Sequence, residues 1–153
     1  MADEYDKFLV GYKGSFTKEV TERDNLQFAE ISGDYNPIHY RDDVARAAGF
    51  LGKISNGFVT ESRVAAALVA TFGSDTTLVL AVEKNTKFLK PVYMEDVITA
   101  TVEVIGRFKS IRVLKIKADC CNQHGERVST TKMLIRILQR NHPQRTNRGS
   151  APR

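Results

Sequence analysis

The 153-residue sequence predicts one α+β domain, a curved antiparallel sheet wrapped around a single long buried helix. Two observations carry this expectation. Residues 58–72 contain neither glycine nor proline, and residues 64–70 are apolar on every side, the mark of a helix buried all round. After Gly73 the hydrophobic period changes to two, with Ile98, Ala100, Val102 and Val104 alternating with Thr99, Thr101 and Glu103.

Each element follows in order. Residues 11–21 form an extended lead-in, and residues 22–31 read as a helix. Thr21 suits its N-cap, and Asp24 places negative charge in the first turn, where the helix dipole is positive. Leu26, Phe28, Ala29 and Ile31 supply its apolar side. Ser32-Gly33-Asp34 breaks it, and Pro37 keeps Asn36 out of the helical region. A short helix over 42–48 is closed by Gly49. Gly57 precedes the long helix, whose fifteen residues span about 22 Å.

Strand candidates occupy 78–82 and 85–89, with Pro91 at an edge or bend. Leu114, Ile116, Ala118 and Cys120 alternate with polar residues, as do Met133, Ile135 and Ile137 with their neighbours. These patterns make antiparallel strands with one buried face, joined by turns at 106–110 and 122–125. The domain therefore spans 1–138. Residues 139–153, rich in Arg, Asn, Pro and Gln, cannot bury apolar area and are expected to be a disordered tail.

Charge and cysteine usage narrow the function. The net charge of +5 suggests nucleic acid, but four of the 23 basic residues lie in the tail, which has no acid. The remaining 19 face 18 acidic residues, and no nucleic-acid motif is present. No stretch is long and apolar enough for a membrane span, and the acidic start (Asp3, Glu4, Asp6) is unlike a signal peptide. Cys120 and Cys121 are adjacent and so point to opposite strand faces, poor disulfide geometry; a reducing cytoplasm or organelle matrix is expected. His39, His124 and His142 make no metal-ligand spacing, and no cofactor or metal is expected.

The chemistry sits in Gly33-Asp34-Tyr35-Asn36-Pro37-Ile38-His39. Hydration of an α,β-unsaturated thioester needs a base for the attacking water, a proton for the α-carbon, and donors for the thioester oxygen as charge gathers there. A carboxylate and an imidazole on one rigid loop can hold a single water. Gly57, opening the long helix, offers a backbone N–H at a positive dipole end and lets a carbonyl approach closely. A lone aspartate after glycine is more often a turn former, so the surrounding residues decide.

Those residues are specific. Phe28-Ala29-Glu30-Ile31-Ser32-Gly33-Asp34-Tyr35-Asn36-Pro37-Ile38-His39 resembles the signature of the MaoC-like dehydratases and (R)-specific enoyl-CoA hydratases. Asn85-Thr86-Lys87-Phe88-Leu89-Lys90-Pro91-Val92, followed by Asp96-Val97, resembles their phenylalanine–proline strand and the strand after it. The likeness covers about 11–138. It implies a hot-dog fold, a homodimer, and acyl-CoA or acyl-carrier-protein thioesters as substrates in fatty acid metabolism. It also implies that Asp34 and His39 are catalytic, that the Gly57 N–H polarises the thioester carbonyl, and that Asn36 braces the loop. The family commonly has histidine before that glycine, where this chain has Asn56, itself a good N-cap. The expected activity is a hydro-lyase reaction, (R)-specific hydration of trans-2-enoyl thioesters or the reverse dehydration. The alternative is a non-catalytic acyl-thioester-binding module, which would need neither Asp34 nor His39. Glu61 and Arg63 either pair at the pocket mouth or face solvent. Lys84, Lys87 and Lys90 read as a solvated strand face in preference to a coenzyme A phosphate site.

Overall fold

The computed structural model of the chain describes residues 3–140. A 3₁₀ turn at Glu4–Lys7 leads into β1 (Lys13–Glu19), α1 (Glu22–Ser32), a second 3₁₀ turn at Pro37–His39, α2 (Asp42–Ala47) and the long α3 (Gly57–Phe72). Then come β2 (Thr77–Phe88), β3 (Val97–Phe108), β4 (Val113–Cys121) and β5 (Arg127–Gln139). All five strands join one antiparallel sheet in the order β1-β3-β4-β5-β2.

Local chemistry sets the helix ends that matter for the site. Thr21 and Asp24 form a reciprocal capping box on α1, and Gly33 ends it in the left-handed region at φ 77°. The turn this permits carries the chain directly into Asp34. Asn56 caps α3, its side chain accepting the Phe58 N–H.

The buried alternation of β3, β4 and β5 faces α3. Ile98, Ala100, Val102 and Val104, with Leu114, Ile116 and Ala118, meet Val64, Ala67, Leu68 and Phe72 of the helix. Each of the Val, Leu, Ile and Phe side chains among these contributes roughly 1.5–3 kcal/mol on full burial. Tyr5 and Phe8 of the N-terminal segment also join this core. The Tyr5 hydroxyl donates to the Val113 carbonyl, and the Arg107 guanidinium stacks 4.9 Å from its ring.

Several expectations are corrected. Helix α3 is not buried all round: Ala65 and Ala70 are exposed and Val69 is 63% exposed, because the sheet covers only one side of it. Leu26 and Ile31 of α1 point outward, since the helix seats Asn25, Phe28 and Ala29 against the body. The two strand candidates at 78–82 and 85–89 are one strand, β2, interrupted by a bulge between Ala81 and Glu83. Glu61 and Arg63 neither pair with each other nor face solvent; both are buried with other partners. Strand β5 continues through Gln139, and the rest of the expected tail, 141–153, lies outside the described residues. Among the described residues no helix is long and apolar enough to cross a membrane.

Candidate active site

The loop after α1 is folded by its own side chains. Asp34 Oδ1 accepts the Asn36 N–H at 3.0 Å, and Asn36 Oδ1 accepts the Ile38 N–H at 3.4 Å, starting the 3₁₀ turn that presents His39. The His39 Nδ1 lies 2.9 Å from the Ile54 carbonyl oxygen. A carbonyl only accepts, so Nδ1 carries the proton and Nε2 is left as the ring's free nitrogen.

Three of the four predicted groups converge on the start of α3. His39 and Gly57 line one cavity of about 380 Å³, together with Asn56, Phe58, Thr60 and Phe88. Gly57 is the first residue of α3, where no intrahelical acceptor exists for its N–H. A Cβ at Gly57 would meet the edge of the half-exposed Phe88 ring at 2.7 Å, so any larger residue must displace that ring from the start of α3. Asp34 is half-buried and stands just behind the lining: its Oδ2 accepts the Asn56 amide N–H at 2.7 Å. Asn56 thus caps the helix with one end of its amide and holds the carboxylate with the other. A histidine there would carry one N–H to the same carboxylate, so this donor survives the departure from the family pattern.

Comparisons with known proteins give the family and the fold. Residues 11–121 match the family model described as MaoC like domain. The chain is similar to an (R)-specific enoyl-CoA hydratase from Rhodospirillum rubrum, 29% identical over 76% of this chain and 79% of that protein. It is also similar to a 3-hydroxybutyryl-CoA dehydratase from Methylorubrum extorquens, 28% identical over 76% of this chain and 73% of that one. Among solved structures, an R-hydratase from Pseudomonas aeruginosa superposes with a TM-score of 0.76, 25% identity and 90% coverage of both chains. The chain belongs to the MaoC-like domain family. Its fold is the hot-dog arrangement, a sheet curled around one helix.

Two supports of this MaoC-like site were missed in the sequence. Asn25 is buried and ties both halves together. Its Oδ1 accepts the Asn56 N–H at 3.1 Å and the Ser55 hydroxyl at 3.2 Å, while its Nδ2 donates to the His39 carbonyl at 3.4 Å. An asparagine on a helix carries no periodic signal that would reveal this. Tyr40 closes the loop from below, its hydroxyl donating to the Asn25 and Asp34 carbonyls. Burial, then the nearby Asp34 charge, raise the Tyr40 pKa, so the phenol remains a donor across the working pH range.

A third support is the ion pair joining α1 to α3. Arg63 Nη2 bonds Asp24 at 2.9 Å and the Glu19 carbonyl at 2.9 Å. Burial would raise the Asp24 pKa, but the Thr21 N–H and the Arg63 guanidinium outweigh it and hold the carboxyl below its ordinary value. Among the described residues no group of three acidic, histidine or cysteine side chains could hold a metal.

Proposed function

We propose that the chain catalyses (R)-specific hydration of trans-2-enoyl thioesters and the reverse dehydration of (R)-3-hydroxyacyl thioesters, carried by coenzyme A or an acyl-carrier protein. The observation that carries this reading is the pairing of the Asp34–His39 loop with the start of α3 through the 2.7 Å Asn56–Asp34 bond. Water between Asp34 and the His39 Nε2 gives a proton to the Asp34 carboxylate as its oxygen attacks the β-carbon. The Gly57 N–H takes the charge that gathers on the thioester oxygen, and the held proton is returned to the α-carbon. Loss of crotonyl-CoA absorbance tests it. Asp34→Asn and His39→Ala should each lower kcat by about 10²–10⁴-fold, and the double variant should be scarcely worse than either. Single variants that keep more than about a tenth of the rate would refute the assignment.

We further propose a homodimer. Strand β2 is a twelve-residue edge strand, with Leu78, Leu80 and Val82 about half exposed. A long apolar edge invites another strand, and a second copy of β2 offers the self-complementary partner. The exposed Ala65 and Val69 face of α3 would be covered on the same side of the joined sheet. A concentration-independent monomer mass by light scattering would contradict it. Two free thiols, Cys120 and Cys121, support a place in the cytoplasm or an organelle matrix.

A further inference from the structure

One buried amide lies between the Asp34–His39 loop and the start of α3. Asn25, near the start of α1, is 1% exposed, and every polar atom of its carboxamide is used. Oδ1 accepts the Asn56 N–H at 3.1 Å and the Ser55 hydroxyl at 3.2 Å. Nδ2 donates to the His39 carbonyl at 3.4 Å and lies 3.9 Å from the Met94 sulfur. Turned over, the amide would set its own N–H groups against the Asn56 N–H, so one orientation alone satisfies the site. The Asn25 carbonyl is held as well, by the Tyr40 hydroxyl at 3.0 Å.

The consequence falls on Gly57. In the strip that leads to it, the Ile54 N–H bonds the Ile38 carbonyl at 3.2 Å and the Ser55 N–H bonds the Val92 carbonyl at 2.7 Å. The Asn56 N–H bonds Asn25. The next N–H, that of Gly57, opens α3 and has no acceptor within the helix. Asn56 stands at φ −60° and ψ 135°. Its N–H, held by Asn25, fixes one end of that residue, and its side chain, held by the Phe58 N–H, fixes the other. These two contacts set the direction in which the Gly57 N–H leaves. The same amide holds His39 by its carbonyl, so one rigid side chain gauges the distance from His39 to the Gly57 N–H.

We propose that Asn25 is a positioning residue of the reaction, fixing the Gly57 N–H relative to His39 and so acting on kcat. The inference rests on the hydratase reading above and adds the residue that holds the two halves of the site in register. Asn25 does not line the cavity shared by His39 and Gly57, so substrate binding should change little. A misplacement of about 1 Å in such a site can cost about 10²-fold in rate.

Kinetics of two variants test this, with whichever of crotonyl-CoA and trans-2-octenoyl-CoA the wild type hydrates. Asn25→Leu keeps the approximate volume and removes every side-chain bond; Asn25→Asp keeps both acceptors and loses the donor to His39. At a temperature where circular dichroism shows the variants folded, kcat should fall about 10²-fold in Asn25→Leu and about tenfold in Asn25→Asp, with KM within about threefold of wild type. Added to Asn56→Ser, Asn25→Leu should cost clearly less than it does alone, because both act through residue 56. An amide that only stabilised the fold would lower the melting temperature and leave kcat of the folded protein alone. A kcat within about twofold of wild type, a loss carried by KM, or fully multiplicative losses in the double variant would overturn the inference. Should Asn25→Leu fail to fold, Asn25→Asp decides. Nitrogen-15 NMR reads the same linkage without turnover, through the Gly57 amide and the His39 imidazole. A wild type inert toward both esters, with those signals still moved in the variants, would sink the hydratase reading and leave the linkage standing. An active wild type with variants at full kcat would do the reverse.

Discussion

Asn56→Ser separates the two bonds of one amide. Serine still caps a helix, so the Phe58 N–H keeps an acceptor, but its shorter side chain cannot reach the Asp34 carboxylate. A hydrogen bond to a charged group contributes about 1.5–3 kcal/mol. If half or more of that serves to orient Asp34 in the transition state, kcat for crotonyl-CoA should fall about tenfold. Melting temperature should fall by no more than the lost bond supplies, several degrees at most, because the cap is preserved. Asn56→Ala loses both bonds: kcat should fall as in the serine variant, and about 1 kcal/mol of cap energy should be lost as well, a drop of roughly 3 °C for a domain of this size. Asn56→His, with an imidazole N–H in place of the amide, should retain most of the rate. Thermal melts and steady-state kinetics on the same preparations decide the matter. An Asn56→Ser variant within twofold of wild-type kcat would refute the claim that Asn56 orients Asp34.

Gly57→Ala should raise KM at least tenfold while leaving the melting temperature unchanged or higher, because alanine favours helix by up to ~1 kcal/mol but its Cβ displaces the Phe88 ring; unchanged kinetics would show that the close approach has no role. Arg63→Met should destabilise by about 3 kcal/mol in urea, the scale of breaking a buried ion pair, with Asp24 left without its partner. The Asp24 pKa is held below its ordinary 3.8, so its contribution to stability is present above that value and lost as pH falls through the lower folded value. Urea midpoints of wild type and Arg63→Met should therefore converge toward pH 3, and parallel curves would contradict the pairing. Burial raises the Cys120 thiol to about 11, so iodoacetamide at pH 8 should label the partly exposed Cys121 alone until the protein is unfolded; rapid labelling of both would place Cys120 outside the core.

The chemistry-bearing loop was legible in the sequence because its information is local. Thr21 and Asp24 start α1, Gly33 ends it, and Asp34 and Asn36 fold the turn through bonds to N–H groups two residues ahead. The alternation of β3, β4 and β5 was legible for the same reason, since a strand's period is set by its own backbone. Only the tertiary structure could decide what these pieces meet. The bulge in β2 inserts one residue and flips the faces beyond it: Val79 points into the core before the bulge, and Lys84, Thr86 and Phe88 point toward α3 after it. Lys84 of the expected solvated lysine face is exposed, and its ammonium also reaches back to neutralise the buried Glu61. Asn25 was invisible for a related reason: its three bonds reach residues 14 to 31 positions away. Helix α3 looked fully buried because its composition records every surface it meets, and the sequence does not say that five strands leave one of those surfaces open.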